Sequence, residues 1–303
     1  MNLPHMRQNV LLAPYTTYQI GGPADTFLEA TSVEEVIAAL EWAAERDMPV
    51  FVFGGGSNLL FDDAGRRGLV IRMKSAELKV EGEEIVADGG VMMAKVVLAA
   101  AEADLSGLEA WNGLPGTVGG AVVGNAGCFG VETADVLKEA ELWLPGEGVK
   151  TVNAILLQFT YRSSRLKMEG GVVLRARFKL MKGDRTAIQE KMREVARSRI
   201  QKQPAGSSTG SFFKNPPGDY AGRLIEAAGL KGKRLGKAQI SDQHANFLLN
   251  TGGATAADIV ALAELVEKTV QEKFGVRLER EVVFVPPEGT KLAGALKSCL
   301  NDR

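Results

Sequence analysis

The sequence predicts a two-domain α+β protein, a larger mixed domain followed by a smaller one. Three observations carry this. The chain has 303 residues, about twice an ordinary domain. Amphipathic helical periods alternate with short apolar strand runs in both parts. Composition also changes around Lys182-Gly183-Asp184, where an apolar strand gives way to a charged helical stretch.

The first helix is read over Thr31–Met48. Ser32 and Glu35 have capping-box spacing, and Val33, Val36, Ile37, Leu40 and Ala44 recur on one face. A strand at Val50–Phe53 runs straight into Gly54-Gly55-Gly56-Ser57-Asn58. Another strand follows at Leu69–Met73, then a hairpin over Glu77–Asp88 turning at Glu81-Gly82, then a helix over Met92–Ala103. The segment Gly107–Gly130 shows neither helical nor strand period, and a long loop inside a compact domain is usually functional. Strands return at Ala140–Leu144 and Val172–Leu180. A charged helix, Ala187–Lys202, leads to Pro204-Ala205-Gly206-Ser207-Ser208-Thr209-Gly210-Ser211. Helices are expected at Ala221–Ala228 and Thr255–Phe274, with Gly275 as C-cap. A last strand, Val276–Val285, stops at Pro286-Pro287. The tail from Glu288 is read as poorly ordered or a short helix.

Charge and composition exclude several classes. Lysine and arginine total 36 against 37 aspartates and glutamates, a net charge of −1, so no overall field holds a nucleic acid. Hydrophobic residues are 45% of the chain, enough for a full core. The longest apolar run, Val91–Ala101, is interrupted by Lys95 and is too short to span a membrane. No secretory leader is read in MNLPHMRQNVLLAPY, so a cytoplasmic location is expected. Cys128 and Cys299 form neither a disulfide framework nor a zinc site, and no metal is expected.

Glycine is in excess, 35 residues against about 21 at average usage. After Val50–Phe53, three consecutive glycines let the backbone turn and gather N–H groups on one concave surface, a phosphate-binding nest. The loop matches neither the dinucleotide fingerprint nor the P-loop; a tight turn is the alternative, but three glycines are more than a turn needs. Gly107 to Gly127 is equally poor in side chains and suits a large planar or phosphorylated ligand lying on the backbone. Two such loops in one domain favour a nucleotide-like cofactor.

Tyr18-Gln19-Ile20-Gly21-Gly22-Pro23-Ala24, Gly54-Gly55-Gly56-Ser57-Asn58-Leu59-Leu60 and Gly113-Leu114-Pro115-Gly116-Thr117-Val118-Gly119-Gly120-Ala121 with Asn125-Ala126-Gly127 stand in order. Tyr161-Arg162-Ser163-Ser164, Gly210-Ser211-Phe212-Phe213-Lys214-Asn215-Pro216, Ala221 to Glu226, Ser241 to Asn250 and Leu278-Glu279-Arg280-Glu281-Val282 follow. Together they resemble the UDP-N-acetylenolpyruvoylglucosamine reductase family, over roughly residues 15 to 286. The resemblance implies an FAD-binding domain of the vanillyl-alcohol oxidase (PCMH) type and a C-terminal α/β substrate domain. The expected limits are a lead-in at 1–17, the FAD domain at 18–184, a connecting helix at 185–203, the substrate domain at 204–287 and a tail at 288–303.

The family reading implies non-covalent FAD, NADPH as co-substrate and UDP-N-acetylglucosamine enolpyruvate as substrate, in cell-wall precursor synthesis. No nucleic acid or membrane partner is expected, and the chain is read as a monomer. Cofactor contacts are expected from Gly54, Gly55, Gly56, Ser57, Asn58, Leu59, Gly113, Pro115, Gly116, Thr117, Gly119, Gly120, Ala121 and Asn125. Cys128 is expected to be a small neighbour of the flavin and not a tether. Arg162, Ser211 and Glu281 take the family's catalytic positions, and Tyr161, Lys214 and Asn215 its substrate positions.

The chemistry fits those residue types. A guanidinium holds a carboxylate bidentately and stays charged. A hydroxyl can protonate a strongly basic carbon when well placed. A glutamate beside a substrate carboxylate tends to keep a proton. Residue type alone does not choose Ser211 over Ser207, Ser208 or Thr209; the motif does. Lys231, Lys233, Arg234 and Lys237 form a basic turn that suits a diphosphate or plain solvent. About 40 residues join Arg162 to the serine motif, which leaves no room for the tyrosine lid loop of longer relatives. Rival readings are another flavoprotein oxidoreductase or oxidase of the same fold, and a non-catalytic nucleotide-sugar binder.

Overall fold

A computed structural model describes residues 5–288. Cys299 and all but the first residue of the expected tail lie outside them. Among the described residues the first part is built on two larger sheets, with short two-stranded pairs beside them. One has four strands in the order Arg7–Leu11, Pro23–Ala30, Arg66–Met73 and Val50–Phe53, the last three mutually parallel. The other is an antiparallel sheet ordered Gly148–Asn153, Leu137–Leu144, Val172–Lys179, Glu84–Asp88 and Leu78–Glu81.

The helix Val33–Ala44 covers the first sheet. Ser32 Oγ accepts from Glu35 N at 3.2 Å, while the Glu35 carboxylate turns to the N–H and hydroxyl of Thr31. Val36, Ala39, Leu40 and Ala43 are buried with Leu69 and Ile71, joined by Trp143 and Leu174 of the second sheet. The helices Met93–Glu102 and Val118–Gly124 share a core with Ala140, Val173 and Phe178 of that second sheet. Trp111, fully buried there, donates Nε1 to the Val131 carbonyl at 3.1 Å.

The second part packs the helices Ala221–Ala227 and Ala256–Phe274 on the strands Arg234–Leu235, Ala238–Ile240 and Leu248–Asn250. Tyr18, Ile20 and Leu60 from the start of the chain are buried in the same cluster. Asp63 reaches the other way. Its two carboxylate oxygens accept from Ala256 N at 2.9 Å and Ala257 N at 3.3 Å, adding to the Thr255–Asp258 capping box. The chain then returns: Val283–Val285 pairs in parallel with Leu59–Phe61.

Two expectations are corrected. Gly107–Gly130 is not an unstructured loop. It contains the 3-10 turn Glu109–Trp111 and the helix Val118–Gly124. Its three buried apolar positions, Val118, Ala121 and Val122, have helical spacing that the glycines obscure. The last strand spans Val283–Val285 and not Val276–Val285. Its partner Leu59–Phe61 is three residues long, and residues before Val283 pair with the serine-motif segment through isolated bonds.

Asp63→Ala removes two acceptors and a negative charge from a helix N-terminus. A loss of about 1–2 kcal/mol is expected in urea unfolding, and Asp63→Asn, which keeps one acceptor oxygen, should lose less.

Candidate functional site

The two glycine segments meet face to face. A side-chain carbon on Gly54 would lie 2.2 Å from Thr117 Oγ1, and one on Gly116 3.0 Å from Ser57 Oγ. Gly56 adopts φ +61, and a side chain there would meet the Tyr15 carbonyl at 2.3 Å. Only glycine satisfies both limits. Among the described residues, the N–H groups of Gly55, Gly56, Ser57 and Asn58 donate to no protein acceptor. Four neighbouring free donors on one loop suit the diphosphate of a nucleotide cofactor. Leu59 begins the following strand, and Gly113 and Pro115 are exposed.

Gly119, Gly120 and Ala121 lie in the helix Val118–Gly124. Gly119 donates to the Gly89 carbonyl at 2.8 Å, while Gly120 is exposed with little protein around it. Asn125 ends that helix in a left-handed conformation and is buried. Its side chain is committed to protein: Nδ2 donates to Glu132 at 2.9 Å and to the Thr160 carbonyl at 3.0 Å, and Oδ1 accepts from Ala134 N.

Those bonds anchor the Tyr161–Arg162 turn. Thr160 and Ser163 exchange backbone hydrogen bonds at 3.0 Å each, leaving Tyr161 and Arg162 at the tip. On the far side, Ser164 Oγ donates to the Val123 carbonyl at 2.7 Å. Arg162 is left-handed, φ +57. Its guanidinium lies 5.3 Å from the half-exposed Tyr161 ring and its Nε 3.1 Å from Glu281 Oε1. That contact is an ion pair lying off the N–H axis, so the buried Nε has no aligned acceptor.

Glu281 arrives on an extended segment stitched to the serine motif. Its N–H donates to the Phe212 carbonyl at 2.8 Å, and Lys214 N donates to the Glu279 carbonyl at 2.8 Å. Asn58 of the first glycine loop donates Nδ2 to the Glu281 carbonyl at 3.1 Å. Opposite, Phe212 N donates to the Asn246 carbonyl, and the Asn246 side chain bonds Phe213 N and O. Arg162 and Glu281 are thus in contact, and Ser211 lies one residue before the one that binds Glu281. Burial pushes the Glu281 carboxyl above its ordinary range, against the opposing pull of Arg162, Lys167 and Lys214.

Lys214 is paired with Glu279, and Asn215 Oδ1 accepts from Ala221 N at 3.1 Å, so both also hold the local fold. Ser211 lines a cavity of about 410 Å³ with Phe129, Arg199, Lys202, Gln243 and His244. Sequence reasoning missed Arg199, Lys202 and Lys167. The first two belong to the charged helix Arg185–Lys202, where surface and site residues share one composition. Arg199 spans to the glycine segment: Nη2 donates to Cys128 Sγ at 3.1 Å, and its buried Nε lacks a partner. Cys128 donates to the Ala110 carbonyl, and burial raises its thiol pKa despite Arg199 and Arg162. In the basic turn, Lys231 pairs with Glu226 and Arg234 bonds Gln239, while Lys233 and Lys237 are exposed; none lines this cavity. Among the described residues no cluster of His, Cys, Asp or Glu could hold a metal ion, and no helix is long and apolar enough to cross a membrane.

Residues 24–153 match the FAD binding domain model, and residues 201–285 match the model of the UDP-N-acetylenolpyruvoylglucosamine reductase C-terminal domain. A UDP-N-acetylenolpyruvoylglucosamine reductase of Rubrobacter xylanophilus is 46% identical over 277 residues, 90% of this chain and 93% of the relative. One of Chloroflexus aggregans is 43% identical over 286 residues, 91% and 96% of the two chains. The crystal structure of the reductase from Thermus caldophilus superposes with a TM-score of 0.81 at 40% identity, covering 93% of this chain and 100% of that one. With both domains matched in order and the relatives spanning nine-tenths of the sequence, the chain belongs to the UDP-N-acetylenolpyruvoylglucosamine reductase family of FAD-dependent oxidoreductases.

Proposed function

We propose that this protein reduces the enolpyruvyl ether of UDP-N-acetylglucosamine to UDP-N-acetylmuramate with NADPH as hydride source, and that Arg162, Glu281 and Ser211 act on the enolpyruvyl group. The observation that carries this is the Arg162–Glu281 pair at 3.1 Å, joined to the first glycine loop through Asn58 and to the serine motif through Phe212, the residue after Ser211, whose carbonyl accepts the Glu281 N–H. The free amides of Gly55 to Asn58, with Gly116 and Thr117 packed against them, would hold FAD non-covalently. When bound, FAD supplies the acceptance and delivery of hydride.

Arg162 takes the substrate carboxylate, its Nε free of an aligned partner. Negative charge that grows on the carboxylate during reduction is then met by a preorganised cation. Glu281 faces the same carboxylate. Its carboxyl is raised by burial, and an incoming like charge pushes it further in the same direction, toward the form that donates a hydrogen bond to the substrate. Ser211 gives its hydroxyl proton to the α-carbon. Arg199 and Lys202, across the cavity, carry the charge that suits the diphosphate.

Purified protein should be yellow and bleach anaerobically on NADPH, and acid should release the flavin intact. A colourless protein would leave a nucleotide-sugar binder, and reduction that only oxygen reverses would leave an oxidase. Ser211→Ala should keep flavin reduction near the parent rate and slow reoxidation by the enolpyruvyl substrate about 10²–10⁴-fold, as for a lost general acid. Rapid-mixing absorbance separates the two stages, and Ser207→Ala and Ser208→Ala should change neither. Arg162→Lys keeps charge but loses the planar fork, so it should slow the substrate stage far more than the NADPH stage. Equal loss in both would make Arg162 a folding or flavin residue.

A further inference from the structure

Lys167 sits in the short helix Arg165–Glu169, five residues past Arg162. Its Nζ donates back to the Arg162 carbonyl at 3.4 Å. That carbonyl belongs to the left-handed residue at the tip of the turn. Such a conformation is strained for a residue with a side chain and persists where its surroundings over-determine it. Asn125 fixes the residue before the tip and Ser164 the residue after the turn. Lys167 adds a longer, exposed bond at the tip itself.

Much of the Lys167 side chain is exposed, while its ammonium end lies among charged neighbours. Burial pushes Lys167 below the ordinary lysine range, Lys214 adds to that, and Glu281 and Glu279 oppose it. Glu281 in turn is faced by Arg162, Lys167 and Lys214. Lys214 is paired with Glu279, whereas Lys167 donates to the Arg162 backbone; both lysines act on Glu281.

From this juxtaposition we infer that Lys167 is a positioning residue for the Arg162–Glu281 pair: its ammonium holds the Arg162 backbone in place and sets part of the positive field on the Glu281 carboxyl. The inference rests on the roles given above to Arg162 and Glu281. Lys167→Met keeps side-chain length but loses charge and donor. Without the charge, the carboxyl keeps its proton to higher pH. Without the bond, the turn relaxes and the guanidinium drifts.

The test is a carboxyl ¹³C NMR titration of Glu281 in the flavin-loaded protein, assigned by the resonance that Glu281→Gln removes, together with both rapid-mixing stages. Lys167→Met should raise the Glu281 titration by about one pH unit. It should also slow reoxidation by substrate roughly 10- to 100-fold, as misplaced reacting groups do, with reduction by NADPH unchanged. Lys167→Arg, which keeps the charge, should titrate like the parent. An unshifted Glu281 titration in Lys167→Met overturns the proposal. So does a shift in Lys167→Arg as large as about one unit, a variant that also decides the matter should Lys167→Met lose its flavin. If Glu281→Gln reoxidises at the parent rate, the role given to Glu281 fails, while the titration still decides for or against Lys167.

Discussion

The contact between Arg162 and Glu281 sets the tolerances of the whole molecule. One partner stands on a turn of the first domain and the other on a segment near residue 281, and both are largely enclosed. A half-buried ion pair contributes only when its geometry is held, because each partner gives up water to be there. The surrounding bonds supply that hold. Asn125 and Ser164 clamp the turn from both sides, and Phe212 and Asn58 fix the backbone of Glu281 from two directions. The second of these ties the pair to the first glycine loop.

Much of this was legible in the residues. The strand Val50–Phe53 matched at both ends, and the hairpin expected over Glu77–Asp88 came within one residue, starting at Leu78 and turning at Gly82-Glu83, because apolar periods bounded by turn residues leave few alternatives. The helix Val118–Gly124 was not legible. Three of its seven residues are glycines, so its period rests on three apolar positions. Glycine is accepted there because Gly119 must approach Gly89 closely, a tertiary reason that leaves no local trace. The over-long final strand has a similar cause: Arg277 to Val282 alternates like a strand, but its neighbour supplies scattered bonds in place of a ladder.

The candidate site shows the same division. Motif residues drew attention to Arg162, Ser211 and Glu281. Lys167, bonded to the Arg162 turn, and Arg199, lining the Ser211 cavity, carry charges indistinguishable in sequence from those of a solvated helix. Asn125 illustrates the converse. It stands in a cofactor motif, yet its side chain serves Glu132, Thr160 and Ala134, so its position in that motif follows from architecture.

The parallel pairing of Leu59–Phe61 with Val283–Val285 joins stretches more than two hundred residues apart. On a ribosome adding 5–20 residues per second, the first strand waits roughly ten to forty seconds for its partner to be made. During that interval the segment holding Asn58 has no carbonyl of Glu281 to bind, and Leu60 has no second-domain core to enter. The nascent protein therefore cannot assemble a competent centre by halves. Chains released early would expose an unpaired apolar edge, a ready target for quality-control proteases, and only finished chains conceal it.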